Sequence, residues 1–280
     1  MKRIFAILSL VLISTTIIFI ACKKTDDPVP PTISFKQSAD YVSANATAKY
    51  GDTLNFGISA KYNGNDNLVK FQIFANGNQM LDSTINTQNF IFDFYTVKSI
   101  FDKEVWKFVT KDIAGNTKTD SIVITGNFGQ INSYGAVTIG TQSNTTAKGF
   151  LSFSKSTETQ YSQDEAFNHQ ADIDMFCFYE NTDGHVNLMT LAAPGSNIKG
   201  IFTGASAPTN YTTKNLTFFV KTTLTATQFD AIQNDAIILA SYDPKNQYKK
   251  ANLLTVGQVY AFQLQSGKKG LYKVTAVDGT

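Results

Sequence analysis

The sequence has few of the residues that most enzyme sites and nucleic-acid interfaces need. Its 280 residues include two histidines, two cysteines and one tryptophan, and only 16% are charged. The single arginine is Arg3, and the net charge is +2. Nucleic-acid binding depends on clustered cations, so nucleic acid is excluded as a partner. A hydrophobic content of 42% also excludes a disordered chain.

Catalytic motifs are also missing. There is no Gly-x-Ser-x-Gly elbow and no phosphate-binding glycine loop before a helix. His169, His185, Asp172 and Cys177 are close enough in sequence to form a metal site, but we expect one histidine on a helix face and the other in a turn. We therefore predict no catalytic residues, no metal, no cofactor and no enzymatic activity.

Two weaker catalytic alternatives remain open. Cys177 with His185 could form a nucleophilic pair, although we expect Cys177 to be a buried apolar residue, and a buried thiol is inert. Asp172 and Asp174 share a face if a strand begins early, as a carboxylate pair would, but aspartates at strand ends are commonly structural.

The N-terminal residues have the layout of a secretory signal peptide. Lys2 and Arg3 precede an apolar stretch, Ile4 to Ile20, which ends before Ala21-Cys22. The alternative is an uncleaved anchor helix at the short limit for a bilayer span.

Ala21-Cys22 resembles the bacterial lipobox, with Phe19 and Ile20 departing from its usual pattern. The resemblance implies cleavage after residue 21 and lipidation of Cys22, so that acyl chains anchor the protein to a membrane. Residues 22–31 contain three prolines and read as a tether. Lys23-Lys24 followed by Asp26-Asp27 resembles surface lipoproteins of the Bacteroidetes type, which implies an outer-membrane protein facing the cell exterior. A periplasmic linker is the alternative.

Residues 32–126 predict a β-sandwich. Short alternating strands recur, and Asn76-Gly77 is a hairpin signal. The segment 105–117, with Asp112, Gly115 and Asn116 in its turn, resembles the end of bacterial Ig-like domains. That resemblance implies a fold and no particular function.

Residues 127–280 predict an antiparallel-rich α+β domain with two short helices. Capping boxes begin at Ser162 and Thr225. An apolar run follows each helix, at 173–179 and 236–242, and this suggests a repeated helix-then-strand unit. Further strands are predicted at 134–139, 150–153, 186–191, 216–220, 259–264 and 271–277. The fold class is therefore mainly β.

Four segments of this second part, 131–134, 140–144, 224–232 and 270–275, resemble the C-terminal domain of uncharacterised lipoproteins from the same bacterial group. No activity follows from that resemblance. The chain ends on a hairpin signal, Asp278-Gly279, with no strand after it. Either the chain is truncated or a neighbour supplies the strand, or an edge strand ends there in a polar turn.

Candidate ligand-binding residues are tyrosines in polar segments, where we expect exposed rings: Tyr211, Tyr242 and Tyr248. Trp106 is predicted to be a core residue. Three Asp-Ser or Asp-Thr pairs resemble the O-glycosylation sequon of Bacteroidetes exported proteins, with acceptors at Thr53, Ser83 and Ser121.

The sequence therefore favours a non-catalytic surface lipoprotein that binds a glycan or a protein partner through its C-terminal domain. The alternatives are a carbohydrate-active or peptidase-type hydrolase, which would show two carboxylates or a metal in a cleft, and a structural, adhesion or assembly component, which would show an open sheet edge.

Overall fold

The structure, a computed structural model, describes residues 29–64, 66–153, 159–182 and 185–278. The described chain divides into two compact units. The first contains residues 29–43, Phe56–Phe94 and Val105–Ile122. The second contains Ala44–Asn55, Tyr95–Glu104 and the residues from Val123 onward. The predicted signal peptide, Cys22 and most of the tether lie outside the described residues, as do Gly279 and Thr280.

Of the described residues, those before 127 form eight strands in two sheets, with the orders β1-β3-β6 and β2-β8-β7-β4-β5. Their pairing is antiparallel where β1 meets β3 and where β4 meets β5 and β7, and it is parallel between β2 and β8. The bounds are β1 Thr32–Phe35, β2 Ala46–Ala48, β3 Thr53–Lys61, β4 Leu68–Ala75, β5 Asn78–Thr87, β6 Asn89–Val97, β7 Lys103–Asp112 and β8 Thr117–Gly126.

Alternating apolar residues build the core of this sandwich-like part. Phe56 on β3 packs against Trp106 and Phe108 on β7, with ring centroids 5.2 and 5.3 Å apart. Phe71 and the other inward residues of β4 are fully buried. Trp106 is only 3% exposed, so its predicted core position is confirmed.

Both predicted turns form through the residues named for them. Asn76 and Gly77 take positive φ angles of 49° and 85°, as the tight β4–β5 hairpin requires. Asp112 accepts hydrogen bonds from the backbone and side-chain nitrogens of Asn116 at 2.8 and 2.9 Å. Gly115 takes a φ of 95° between them.

After residue 126, the described residues contain two further antiparallel sheets, β10-β9-β11-β12-β14 and β13-β15-β16, and three short helices. The bounds are β9 Phe150–Ser152, β10 Thr159–Tyr161, α1 Gln163–Asn168, β11 Met175–Thr182, β12 His185–Ala192, β13 Phe218–Lys221, α2 Ala226–Asp230, α3 Asp235–Ser241, β14 Lys250–Ala251, β15 Val259–Gln263 and β16 Lys269–Lys273. The predicted mainly-β fold class is confirmed. The predicted domain boundaries stay predictions.

Both capping boxes are present, at the starts of α1 and α2. The strand predicted over 236–242 is wrong, because that run forms α3. The Asn234 side chain accepts a hydrogen bond from the Ala236 amide at 3.0 Å and starts this third helix. The helix-then-strand unit therefore does not repeat.

The strand predicted over 134–139 is also wrong. That segment has no strand pairing, although Val137 and Ile139 pack against a hydrophobic cluster. The last predicted strand, 271–277, is displaced toward the N-terminus, because β16 pairs with β15 over residues 269–273.

The five-stranded sheet of the second unit is apolar on both faces. Phe176 and Phe178 of β11 enter one cluster, and Met175 and Cys177 enter another. Cys177 is 6% exposed, which confirms its prediction as a buried apolar residue. None of the helices in the described residues is long and apolar enough to cross a membrane.

Candidate functional site

The three predicted ligand-binding tyrosines differ in exposure. Tyr211 is 4% exposed, Tyr242 is 5% exposed and Tyr248 is 69% exposed. The expectation of an exposed ring is therefore confirmed for Tyr248 and wrong for the other two. Tyr211 belongs to a core cluster and contacts Phe167 edge-on, with ring centroids 6.0 Å apart.

Tyr242 is buried because it ends α3 instead of lying in an exposed loop. Its ring packs with Val220 and Ala261, and its hydroxyl donates to the side-chain oxygen of Gln247. Burial raises the pKa of the Tyr242 hydroxyl. A ring enclosed in this way has no face for a ligand.

Tyr248 presents an exposed ring from a fixed backbone. Its amide donates to the Phe219 carbonyl, and the Phe219 amide donates to the Tyr248 carbonyl, each at 2.8 Å. Phe219 is 1% exposed and lies on β13, within the core. The backbone of Tyr248 is thereby tied to a buried strand.

The two residues that follow Tyr248 line a cleft of about 350 Å³, which we call the lysine cleft. Eight residues line it, and three of them are lysines: Lys199, Lys249 and Lys250. The Lys250 ammonium lies 2.7 Å from Oε1 of Glu180, which also lines the cleft. Lys199 and Lys249 are exposed.

The other lining residues are polar or aliphatic. Ser196 donates from Oγ to the Lys249 carbonyl at 2.7 Å, and this bond joins the two sides of the lysine cleft. Asn197 is exposed, whereas Ile198 and Ile201 are half-buried. The cleft therefore offers hydroxyl, amide and ammonium groups beside aliphatic surface.

A tight turn positions this side of the cleft. Pro194 opens a single 3-10 turn over Pro194–Ser196, and Asn197 ends it with a left-handed φ of 56°. A Cβ on Gly195 would lie 2.7 Å from the side chain of Leu216, so glycine is needed for this close approach. On the other side, Lys250 pairs with Ala192 of β12.

A second cleft of about 610 Å³ lies between α1 and residues 203–206, and we call it the helix cleft. Gln163 spans it, because its amide donates to the Thr203 carbonyl at 2.7 Å and to Ser206 Oγ at 3.2 Å. Ser206 in turn donates to Asp164. Phe167 supplies a half-buried ring. These polar groups are largely bonded to one another.

The structure describes the side chains of four residues considered for catalysis or metal binding, His169, Asp172, Asp174 and Cys177. In the parts of the chain that the structure describes, no three His, Cys, Asp or Glu side chains come close enough to hold a metal. His169 stacks on Tyr161, with ring centroids 4.9 Å apart. Burial raises the pKa of the Cys177 thiol to about 12. The side chain of His185 lies outside the described part, so its pairing with Cys177 stays untested.

Asp172 and Asp174 have different surroundings. Asp172 lies 3.8 Å from the His169 ring nitrogen. Asp174 is 6% exposed and accepts a hydrogen bond from the Phe153 amide at 2.6 Å. Burial nevertheless raises the pKa of Asp174. Asp174 joins two backbone segments, which is a structural role.

The three predicted O-glycosylation acceptors all lie on strands. Thr53 begins β3 and is exposed, Ser83 lies on β5 and is half-buried, and Ser121 lies on β8 and is exposed. Their modification stays a prediction.

The lysine cleft had only a partial signal in the sequence. Tyr248 and the adjoining Lys249-Lys250 mark one side, but Lys199 is fifty residues earlier, and nothing in the sequence pattern links the two segments.

No protein-family model and no curated protein matches this chain. A solved DUF4466 family protein from Parabacteroides merdae is 14% identical, with a TM-score of 0.37, and the match covers 90% of this chain and 96% of that one. SGBP-B of the Bacteroides ovatus mixed-linkage glucan utilization locus, solved with a mixed-linkage heptasaccharide, is 10% identical, with a TM-score of 0.24 over 89% and 48% of the two chains.

The fibronectin(III)-like modules of Clostridium thermocellum CbhA are 12% identical, with a TM-score of 0.25, over 35% of this chain and 47% of theirs. Likenesses at these identities and TM-scores establish no shared function, and they assign this chain to no family.

Proposed function

We propose that this protein is a non-catalytic surface lipoprotein that binds a glycan at Tyr248 and the lysine cleft. The observation that carries the proposal is the 69% exposed ring of Tyr248, held on a backbone bonded in both directions to a buried strand. A large exposed ring on a fixed backbone loses little entropy when a ligand covers it.

The chemistry of the adjoining cleft suits a sugar. The C–H faces of a sugar ring are apolar and pack on aromatic or aliphatic surface, while its hydroxyls need donors and acceptors around the edge. Ile198 and Ile201 supply aliphatic surface within the cleft. Tyr248, which directly precedes the lining residues Lys249 and Lys250 in the chain, supplies an exposed aromatic ring. Ser196 and Asn197 supply polar groups.

The proposed function includes a lipid anchor on the outer membrane. Cys22 carries the acyl chains, residues 22–31 form the tether, and the protein lies on the outer membrane with its folded part outside the cell. The lipobox resemblance at Ala21-Cys22 supports this placement, since the acyl chains of a lipidated cysteine anchor a protein to a membrane.

The test is a binding screen of the full chain, solubilised from bacterial membranes in neutral detergent, against host, plant and microbial glycans. We expect at least one glycan to bind and Tyr248→Ala to weaken that binding. Tyr95→Ala is the matched control, because Tyr95 is 59% exposed on β6, away from the cleft residues in sequence. No binding across the panel would overturn the proposal.

Binding of a protein partner is a second candidate function, and two edge strands of the sandwich-like part support it. β5 and β6 are each the last strand in their sheet order, with ten and nine residues. Ile91 on β6 is 77% exposed. A long edge strand is a template for strand addition. We expect Ile91→Lys to abolish co-purification of such a partner and to leave glycan binding unchanged.

A further inference from the structure

We infer that the lysine cleft binds the anionic group of an acidic saccharide, meaning a sugar unit that carries a carboxylate or a sulfate. This inference rests on the proposed glycan binding and adds the class of glycan. It is drawn from the charges that line the cleft, since a neutral sugar would not require them.

The lysines are concentrated in the cleft beyond the average of the chain. Lysine and arginine together number 24 among 280 residues, or about one in twelve. Three of the eight residues that line the lysine cleft are lysines. Without Lys2 and Arg3 the chain has equal numbers of basic and acidic residues. The positive cleft is therefore a local feature of a neutral protein.

Two of these charges are available to a ligand. Lys250 is paired with Glu180 at 2.7 Å, and that carboxylate is only 15% exposed. Lys199 and Lys249 are exposed, and neither forms an ion pair within the described residues. An anion between them gains two favourable interactions, and little desolvation of the lysines opposes its binding.

The remaining lining favours a sugar that carries the charge over a small free anion. Ile198 and Ile201 give aliphatic surface, and Asn197 gives an exposed amide. A volume of about 350 Å³ is at the lower end of small-molecule sites, near 300–1,000 Å³. The cleft thus fits a short stretch of a saccharide chain.

Lysine also sets the selectivity. The folded part has no arginine, so no planar guanidinium is available to match the geometry of one particular anion. An ammonium acts as a point charge. We therefore expect carboxylated and sulfated saccharides to bind alike.

The experiment compares anionic saccharides with matched neutral ones. The full chain in neutral detergent is titrated with polygalacturonate and its carboxyl-reduced form, and with chondroitin sulfate and a neutral analogue without carboxylate or sulfate. We expect the anionic member of each pair to bind about tenfold more tightly, and added salt to weaken its binding.

Two variants with opposite expected effects test the site. Lys199→Gln combined with Lys249→Gln should lower the affinity for the anionic saccharide about tenfold, because two attractive charges are lost. Lys103→Gln with Lys107→Gln makes the same change in charge on exposed residues of β7 and should have no effect. Glu180→Gln should raise the affinity about threefold by removing the negative charge and releasing Lys250.

The outcomes separate the inference from the proposed function. Equal binding of the charged and neutral forms would overturn the inference and leave glycan binding at Tyr248 intact. The same conclusion would follow if the Lys199/Lys249 double variant bound the anionic saccharide as tightly as the wild type. No binding of any saccharide would overturn both. An increase in affinity for Glu180→Gln cannot come from misfolding, so that variant keeps the test decisive if the lysine variant is unstable.

Discussion

Lys98 is a charged residue that is buried, and burying a charge costs free energy unless the charge is paired and hydrogen-bonded. Its side chain is 0% exposed, and its ammonium donates to Oε1 of Glu104 at 2.9 Å and to the carbonyl of Ser99 at 3.0 Å. Burial by itself raises the pKa of Glu104, but hydrogen bonds from Ser99 and Lys98 outweigh it and leave that pKa below its ordinary value of 4.5.

Lys98→Met should therefore lower the free energy of unfolding by about 3–5 kcal/mol, because it leaves a buried carboxylate without its cation. Chemical denaturation measures this. Lys70→Met is the control: the Lys70–Asp82 pair is 3.1 Å long but 40% and 36% exposed, and its loss should cost below about 1 kcal/mol. Equal losses in the two variants would contradict the account.

The same pair gives a pH dependence with a definite sign. A carboxyl whose pKa is lowered on folding contributes stability above its unfolded pKa and loses it as the pH falls through the folded pKa. Glu104 should thus stabilise the protein at neutral pH and progressively less below about pH 4.5. Glu104→Gln should flatten this part of the pH–stability curve.

Cys177 should resist alkylation in the folded protein. Its thiol is buried, and burial raises its pKa to about 12, so almost no thiolate exists at pH 8. Iodoacetamide treatment followed by mass spectrometry should label it only after denaturation. Rapid labelling of the native protein would show that the thiol is reactive and would reopen a nucleophilic role.

Sequence reasoning at this scale succeeded for core residues and partly failed for the ligand tyrosines. Trp106 lies on a strand of the predicted sandwich and Cys177 lies in an apolar strand-like run, so the burial of both follows from position. Tyr211 and Tyr242 lie in polar segments, yet tertiary packing encloses both. Polar neighbours in sequence do not determine which way a loop residue turns, so exposure was predictable only as a tendency.

At the scale of an element, the capping box at the start of α1 lowers the pKa of its own glutamate, Glu165. The Ser162 amide donates to Glu165 Oε2 at 2.7 Å, and the Lys148 ammonium lies 2.9 Å from the same oxygen. These contacts, with the backbone hydrogen bond the largest, lower the pKa of Glu165 to about 2.

The carboxyl of Glu165 should therefore titrate near pH 2 in a side-chain NMR experiment, and the cap should open only as the pH falls toward that value. Lys148→Met should move the midpoint upward, because it removes the nearby cation. Lys245→Met, an exposed lysine on another turn, should leave the midpoint unchanged. A wild-type midpoint near 4.5 would show that the box does not form.

The starts of two helices were predictable because capping residues mark them in the sequence. The secondary structure of the apolar runs was not predictable in this way. Both capping boxes appear where Ser162 and Thr225 predict them. The run 236–242 is apolar except for Ser241, so its pattern does not distinguish a strand from a buried helix. The side-chain cap from Asn234 is the feature that favours the helix. Residues 134–139 alternate like a strand but find no partner strand.

At the scale of the whole molecule, the mainly-β fold follows from recurring short alternating strands and turn signals. The lysine cleft does not, because Glu180, Lys199 and Lys249 come from separate segments brought together by β11, β12 and β14. Residues so far apart in the chain leave no local pattern that would show that they meet.

The proposed lipid anchor at Cys22 is also tested on the whole chain. We expect the full chain to partition into detergent and to incorporate a labelled fatty acid in a bacterial host, and Cys22→Ser to abolish both. Cys177→Ser serves as the control, since it removes the other cysteine. Fatty-acid labelling that persists in Cys22→Ser would contradict the lipobox assignment.

The central claim is that Tyr248 forms the glycan site, and the most direct test is the ratio of two dissociation constants. For the tightest-binding glycan, calorimetry should give a Kd at least about tenfold higher for Tyr248→Ala than for the wild type, equivalent to about 1.4 kcal/mol. Tyr248→Phe, which keeps the ring, should bind nearly as the wild type does. A Kd for Tyr248→Ala within about twofold of the wild type, well under 1 kcal/mol, would contradict the account.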